Sequence, residues 1–224
     1  MAILYVLPTP IGNLGDITLR TLQLLGQVDF ILAEDTRQTA KLLQHYQIKV
    51  PLRAFHAHNE HGVLNKTVND ILTAQSVGLV SDAGTPGISD PGFLLIRACL
   101  KANITIQCLP GSTAFVPALV ASGLPCDRFV FEGFLPHKKG RQTRLKMLTH
   151  EVRTIIFYES PFRLATTLKQ LATQFGPARA AAVCRELTKI HEEVRRDTLE
   201  NLALHYEKYP PKGEIVLIVS GCEP

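Results

Sequence analysis

Short apolar runs alternate with helical patterns along the whole chain, and this rhythm predicts an α/β fold. Two further observations support that class. At 224 residues and 46% hydrophobic, the chain can bury one large α/β core or two smaller ones. Clusters of glycine and proline fall directly after the strand-like runs, where open α/β sheets carry their ligand-binding loops. No run approaches the roughly 18 to 20 apolar residues of a membrane span, and the first residues lead straight into a strand, so a cytoplasmic protein is expected.

The first strand, expected at 3–7, ends in Pro-Thr-Pro-Ile-Gly-Asn-Leu-Gly-Asp-Ile-Thr at 8–18. Gly12 and Gly15 can bring backbone close to a ligand, while Asp16 or Thr18 can equally cap a helix around Leu19. A second strand at 28–33 leads into Glu34, Asp35, Thr36 and Arg37. Asp35 or Thr36 as a helix cap is the plain alternative to a role in a site; Arg37 offers a fork of donors for phosphate or for the neighbouring acids. A helix is expected around Leu42, and after a third strand at 52–55 come His56, His58, Asn59, Glu60 and His61. Two histidines at i and i+2 invite a metal, but no cysteine or acidic cluster completes a shell, and a substrate-facing polar loop accounts for Asn59 and Glu60, so no metal is expected.

After a helix around Ile71 and a strand at 77–81, the stretch Ser-Asp-Ala-Gly-Thr-Pro-Gly-Ile-Ser-Asp-Pro-Gly at 81–92 is the most informative loop. Its glycines remove side chains and its prolines restrict φ, which suits a stiff surface for close ligand contact rather than a simple turn. It holds Asp82 and Asp90 but no lysine or arginine, so it favours a cationic or neutral ligand over a polyphosphate. Neither Gly-x-Gly-x-x-Gly nor Gly-x-x-x-x-Gly-Lys occurs in the chain, which argues against dehydrogenases, kinases and GTPases. A helix around Leu95 and a fifth strand at 104–109 follow. The segment 110–125, punctuated by Gly111, Pro117, Gly123 and Pro125, marks a boundary between two lobes; Ser112 lacks the context of a nucleophile turn and suits a cap or a cofactor contact.

A second series has strands at 129–131, 154–157, 181–184 and 215–219, with helices around Leu145 and Leu168. A further strand at 192–198 precedes a helix through Leu202 and Leu204. The formal charge of +4 is local: no acidic residue stands between Glu132 and Glu151, where Lys138, Lys139, Arg141, Arg144 and Lys146 supply five positive charges. Such a run suits a polyanion or, more plainly, a solvated helix face. Arg185 and Lys189, just past a strand, can meet nucleic-acid phosphate or pair internally with Glu186. Tyr158, Glu159, Ser160 and Pro161 end a strand and suit a capped helix start. Five cysteines without a Cys-x-x-Cys pair imply reduced thiols, and 7% aromatic residues with no tryptophan argue against a surface built on many base-stacking platforms.

Thr-Pro-Ile-Gly-Asn-Leu-Gly-Asp-Ile-Thr at 9–18, Ala-Glu-Asp-Thr-Arg at 33–37, the 81–92 loop, Pro-Gly-Ser at 110–112 and Tyr-Glu-Ser-Pro at 158–161 resemble, in order and spacing, the bacterial small-subunit ribosomal RNA methyltransferase I family of the tetrapyrrole-methylase superfamily. The likeness covers nearly the whole chain; the C-terminal segment usual in that family is not found after residue 221. The resemblance implies two α/β/α lobes with S-adenosylmethionine in the cleft between them, in a homodimer. It implies a lobe at 1–113 with the substrate side and the glycine-rich cofactor loop, and a lobe at 114–224 completing the pocket. Cofactor contacts are then expected from Pro10, Asp82, Gly84 and Ile88, from Ser112, Thr113 and Ala114, and from Tyr158, Leu187, Gly213, Glu214 and Ile215.

The implied reaction is methylation of a cytidine 2′-hydroxyl in the decoding region of 16S ribosomal RNA, probed by the positive run and by Arg37 and Arg185 as phosphate contacts. Glu34, Asp35, Glu60 and Lys189 are the candidates to take the hydroxyl proton, with Arg37 orienting the substrate. Two other readings remain. A tetrapyrrole C-methyltransferase would use the same cofactor, and a non-catalytic RNA-binding assembly factor would bind the cofactor without turnover. The basic run favours RNA over a porphyrinoid.

Overall fold

The computed structural model describes residues 2–57 and 59–222, and the chain divides into two compact units, Met1–Thr113 and Ala114–Pro224. In the first unit, β1 (Ile3–Val6) is followed by a short 3-10 turn (Leu14–Asp16), α1 (Leu19–Leu25), β2 (Phe30–Ala33), α2 (Thr36–His45) and β3 (Leu52–Ala54). Then come α3 (Glu60–Thr73), β4 (Ser76–Val80), α4 (Phe93–Lys101) and β5 (Thr105–Cys108). The five strands form one parallel sheet in the order β3-β2-β4-β1-β5.

Alternation along the strands sends side chains to both faces. Leu4, Phe30, Leu32, Val77 and Leu79 pack with Ile71 of α3 and with Leu95 and Cys99 of α4. Leu7, Ile31, Ala33 and Val80 pack on the opposite face with Leu25 of α1 and Leu43 of α2. The neighbouring strands β1 and β4 therefore feed helices on opposite faces, so their carboxyl ends flank a topological switch point, the place where open α/β sheets leave a crevice for ligands.

The second unit contains α5 (Phe115–Ser122), β6 (Phe129–Phe134), α6 (Arg141–Leu148), β7 (Thr154–Glu159) and α7 (Leu164–Phe175). It continues with β8 (Ala180–Arg185), β9 (Glu193–Thr198), α8 (Leu199–Lys208) and β10 (Ile215–Val219). Its sheet, β6-β7-β10-β8-β9, is mixed: β6 and β7 are parallel, while β10 runs antiparallel to both β7 and β8, and β9 antiparallel to β8. Strand alternation with helices does not disclose this direction, because β8 and β9 join without a helix and α8 returns the chain against its neighbours. Leu145, Leu168, Leu171, Leu199 and Leu202 from α6, α7 and α8 bury Ile155, Phe157, Val183 and Leu217 beneath them. A bulge between Phe131 and Gly133 carries β6 past the expected end at 131.

One charged cluster lies inside this unit. The Glu159 side chain is 1% exposed and accepts hydrogen bonds from Thr167 Oγ1 at 2.6 Å and from the Ser160 N–H at 2.8 Å. The Arg163 guanidinium stands 2.6 Å from it and Arg141 3.8 Å. Arg141 also donates to Gln170 Oε1 at 2.8 Å, Thr167 Oγ1 at 2.7 Å and the Pro136 carbonyl at 3.2 Å. Expected on a basic RNA-facing surface, Arg141 is instead buried, because a carboxylate remote in sequence draws its guanidinium into the packing between α6 and α7.

Removing one partner of such a cluster leaves an uncompensated buried charge. Arg141→Ala is expected to lower the stability of the folded chain by about 3 kcal/mol or more in urea unfolding followed by circular dichroism. A loss under about 0.5 kcal/mol, the range of an ordinary surface substitution, would mean that the guanidinium is not needed there.

Candidate functional site

The loops after β1, β4 and β5 are stitched together beyond the carboxyl ends of their strands. Thr9 and Gly84 exchange two backbone hydrogen bonds, at 2.9 and 3.0 Å, forming an isolated antiparallel bridge. The Thr9 hydroxyl also donates to the Ser81 carbonyl at 3.1 Å. Thr85 Oγ1 donates to the Ser112 carbonyl at 2.9 Å and lies 3.0 Å from Thr113 Oγ1, and Ser112 Oγ donates to the Asp16 carbonyl at 3.3 Å. Pro10, Asp82, Gly84, Ser112 and Thr113 are thus on three loops of one hydrogen-bonded cluster, and Ile88 lies further along the 81–92 loop, half-buried.

Glycine is required here by geometry. Gly84 has φ +85°, Gly87 +87° and Gly92 +141°, all in the region disfavoured for other residues. A Cβ on Gly111 would lie 2.5 Å from Pro8 Cβ, so the segment after β5 can lie against the segment after β1 only without a side chain. Asn13 and Thr18 take the capping roles, accepting from the N–H groups of Gly15 and Thr21. Asp16, an alternative cap, instead supplies the carbonyl that receives Ser112.

The loop after β2 joins the same edge. The Asp35 N–H donates to Asp82 Oδ1 at 3.0 Å, and the Asp82 N–H donates to Glu34 Oε2 at 3.4 Å. Glu34 is half-buried; burial is the largest influence on it and pushes its carboxyl above the usual range, the Asp82 N–H opposes this, and the Asp82 charge adds to it. Asp35 caps α2 by accepting from the Arg37 N–H at 2.8 Å and is gripped by the Arg37 guanidinium at 2.6 Å. The hydrogen bond from that guanidinium is the main cause holding the Asp35 carboxyl at about 2. The Arg37 side chain remains 85% exposed. Glu60 stands in the first turn of α3, while Asn59 Oδ1 accepts from the His56 N–H at 2.8 Å. His58 lies outside the described residues.

In the second unit, the turns at 186–189 and 213–215 interlock. Glu186 Oε1 accepts from the Glu214 N–H at 2.9 Å and from Lys189 Nζ at 2.8 Å, and Lys189 also reaches Glu214 Oε2 at 3.0 Å. A Cβ on Gly213, at φ +91°, would fall 2.3 Å from the Glu186 carboxyl. Leu187 and Ile215 are buried, Ile215 as the first residue of β10. Partial burial pulls the Lys189 ammonium down, but its hydrogen bonds to Glu186 and Glu214 outweigh this and the net displacement is upward. Tyr158 stacks edge-on with Phe131 and Phe134, at ring separations of 5.1 and 5.7 Å. Ala114 precedes α5.

The five-charge run is smaller on the surface than in the sequence. Arg144 forms a two-pronged pair with Glu132 at 2.7 and 2.6 Å, and Arg141 is buried, which leaves Lys138, Lys139 and Lys146 as its exposed cations with no ion-pair partner among the described residues. Arg185 pairs with Glu193 at 3.1 Å rather than with Glu186. Thr9, Ser81, Thr85 and Glu159 do structural work in these regions that their positions inside quoted motifs did not single out. For Thr9, Ser81 and Thr85 the role depends on pairing across more than twenty residues, and for Glu159 on a guanidinium eighteen residues away, which only the fold reveals.

Residues 3–203 match the family of Tetrapyrrole (Corrin/Porphyrin) Methylases. A relative from Synechocystis sp., described as Ribosomal RNA small subunit methyltransferase I, is 51% identical over 100% of this chain and 81% of its own length. One of the same description from Thermotoga maritima is 44% identical over 100% of both chains. Among solved structures, uroporphyrin-III C-methyltransferase from Thermus thermophilus complexed with S-adenosylhomocysteine is similar at a TM-score of 0.68 and 18% identity, over 97% of this chain and 96% of that one.

Gly111→Ala must push the segments after β1 and β5 apart. It is expected to lower stability by about 1 to 3 kcal/mol, read from the urea midpoint at unchanged slope. An unchanged midpoint would show that the contact with Pro8 is not maintained in solution.

Proposed function

This chain belongs to the tetrapyrrole methylase family, and on that premise we propose that it uses S-adenosylmethionine to methylate 16S ribosomal RNA, at the 2′-hydroxyl of a cytidine in the decoding region. The observation that carries the reading is the loop cluster at the β1/β4 switch point, with backbone bared at Gly84 and Gly87, Asp82 and Asp90 as its charges, and no lysine or arginine in residues 81–92. That donor set fits a ligand bearing a sulfonium and an ammonium and does not fit a triphosphate. We assign cofactor contact to Pro10, Asp82, Gly84, Ile88 and the 112–114 turn, and in the second unit to Tyr158, Leu187 and residues 213–215. When bound, S-adenosylmethionine supplies an electrophilic methyl group.

Of the candidate proton acceptors, Glu34 is the one we favour. Burial raises its carboxyl above the usual range and makes it the better proton acceptor, whereas Asp35 is committed to Arg37 and Lys189 is held protonated by two carboxylates. Arg37, exposed beside this edge, orients substrate phosphate. Lys138, Lys139 and Lys146 supply electrostatic attraction for RNA. No helix among the described residues is long and apolar enough to cross a membrane, and a ribosomal substrate supports a cytoplasmic location. We take the active form to be a homodimer, a reading supported by exposed Leu72, Phe93 and Leu100 on α3 and α4.

Two measurements test this reading. Wild-type protein and tritiated S-adenosylmethionine should label small ribosomal subunits and not uroporphyrinogen, with mass spectrometry locating a 2′-O-methylcytidine; the reverse preference would replace RNA with a tetrapyrrole as substrate. Glu34→Gln should lower single-turnover methylation by about 10² to 10⁴-fold. In the wild type, activity should fall as pH drops through the raised Glu34 value, because the protonated acid cannot accept; the variant should lack that acid limb. An acid limb retained in Glu34→Gln would transfer the role to another group.

A further inference from the structure

We propose that Phe134, Phe162, Lys138 and Lys139 form a docking surface for an unpaired stretch of RNA, with bases stacked on the two rings and phosphates held by the two ammonium groups. The proposal deepens the RNA-methylation reading above and rests on it. Phe162 is 96% exposed and Phe134 54% exposed, although Phe134 ends β6 and Phe162 follows β7 of a well-packed sheet. Their placement is common: Phe134 is registered beside Tyr158 across β6 and β7, and Phe162 lies on the turn that β7 enters four residues later. Arg163, next to Phe162, donates to the carbonyl of Leu135, next to Phe134, at 3.4 Å.

The surface is also rigidly mounted. Arg163 and Arg141 both pair with the buried Glu159 carboxylate, and they reach from it to the Leu135 and Pro136 carbonyls respectively. The segment that carries Phe134, Lys138 and Lys139 is therefore held from beneath by one anchor, and so is the turn that carries Phe162. A surface held in this way loses little conformational entropy on binding.

Charge and shape select the occupant. Lys138 and Lys139 are exposed and pair with no carboxylate among the described residues, and residues 133–150 contain no acid, so the patch attracts a polyanion. Exposed aromatic rings beside cations suit a ligand that alternates phosphates with flat apolar faces. In a duplex those faces are hidden, whereas an unpaired strand presents them. Two rings suffice for one or two bases, which agrees with a sequence too poor in aromatic residues for an extended stacking platform.

The test is fluorescence anisotropy of a short labelled oligoadenylate, titrated at several salt concentrations with the full chain and its variants. Phe162→Ala should weaken binding by about 5- to 100-fold, the cost of one lost base stack, without changing the slope of affinity against salt. Phe162→Trp, which keeps a stacking face, should bind at least as tightly as wild type. The double variant Lys138→Ala/Lys139→Ala should flatten the salt slope by about 1.4. Equal affinity of Phe162→Ala and wild type would overturn the proposal. So would a change of Phe162→Ala from dimer to monomer at unchanged oligonucleotide affinity, which would give the ring to a protein interface. Methyl transfer by the wild type to small subunits separates the two readings: transfer with unaltered Phe162→Ala binding rejects only this surface, while absent transfer with the expected binding pattern rejects only the methylation reading.

Discussion

The backbone bridge between Thr9 and Gly84 is the constraint that holds the first unit's candidate site together. Adjacent parallel strands whose helices depart to opposite faces would leave their loops free to diverge at the switch point. Two main-chain hydrogen bonds hold them together, the Thr9 and Thr85 hydroxyls tie in the neighbouring segments, and Gly111 permits the approach of the segment after β5. The result is a surface of hydrogen-bonded backbone, with the Asp82 and Glu34 carboxyl groups at its rim accepting from the N–H groups of Asp35 and Asp82 respectively. Preorganisation of this kind reduces the reorganisation that binding and reaction would otherwise require.

The second unit solves a different problem by a similar economy. A single buried carboxylate, Glu159, organises two guanidinium groups, and these organise the segment after β6 and the turn after β7. An ion cluster of this kind contributes little net stability, since desolvation opposes attraction, but it imposes one arrangement on the chain around it. Pairing also edits the electrostatics. Arg141, Arg144, Arg185 and Lys189 are cations committed to acids of the chain, and the exposed charge of the 138–146 run is left on Lys138, Lys139 and Lys146.

Much of the fold was legible in the sequence because parallel α/β folding writes strongly periodic local signals. The strands expected at 3–7 and 215–219 agree with β1 and β10 to within a residue, and the β9 strand and α8 helix follow the expected order. Strand direction in the second sheet was not legible, since it depends on which edges meet. The glycine-rich loop at 81–92 was legible for the same local reason: positive φ at Gly84, Gly87 and Gly92 demands that residue type. The basic run misled where partners were distant. Glu132 lies twelve residues from Arg144, and Glu159 eighteen from Arg141, so neither neutralisation is visible in a window of charges. Asp35 as a helix cap, and Arg37 as a holder of the neighbouring acids, were both readable from their positions at the start of α2.

The central claim is that the bridged loops beyond β1 and β4 are where the methyl-donor cofactor is held. A crystal structure of the chain soaked with S-adenosylhomocysteine tests it most directly. The account predicts ordered ligand density against the backbone of residues 81–92, with Asp82 and Gly84 in contact. Ligand bound to other residues, with that loop untouched, would contradict it.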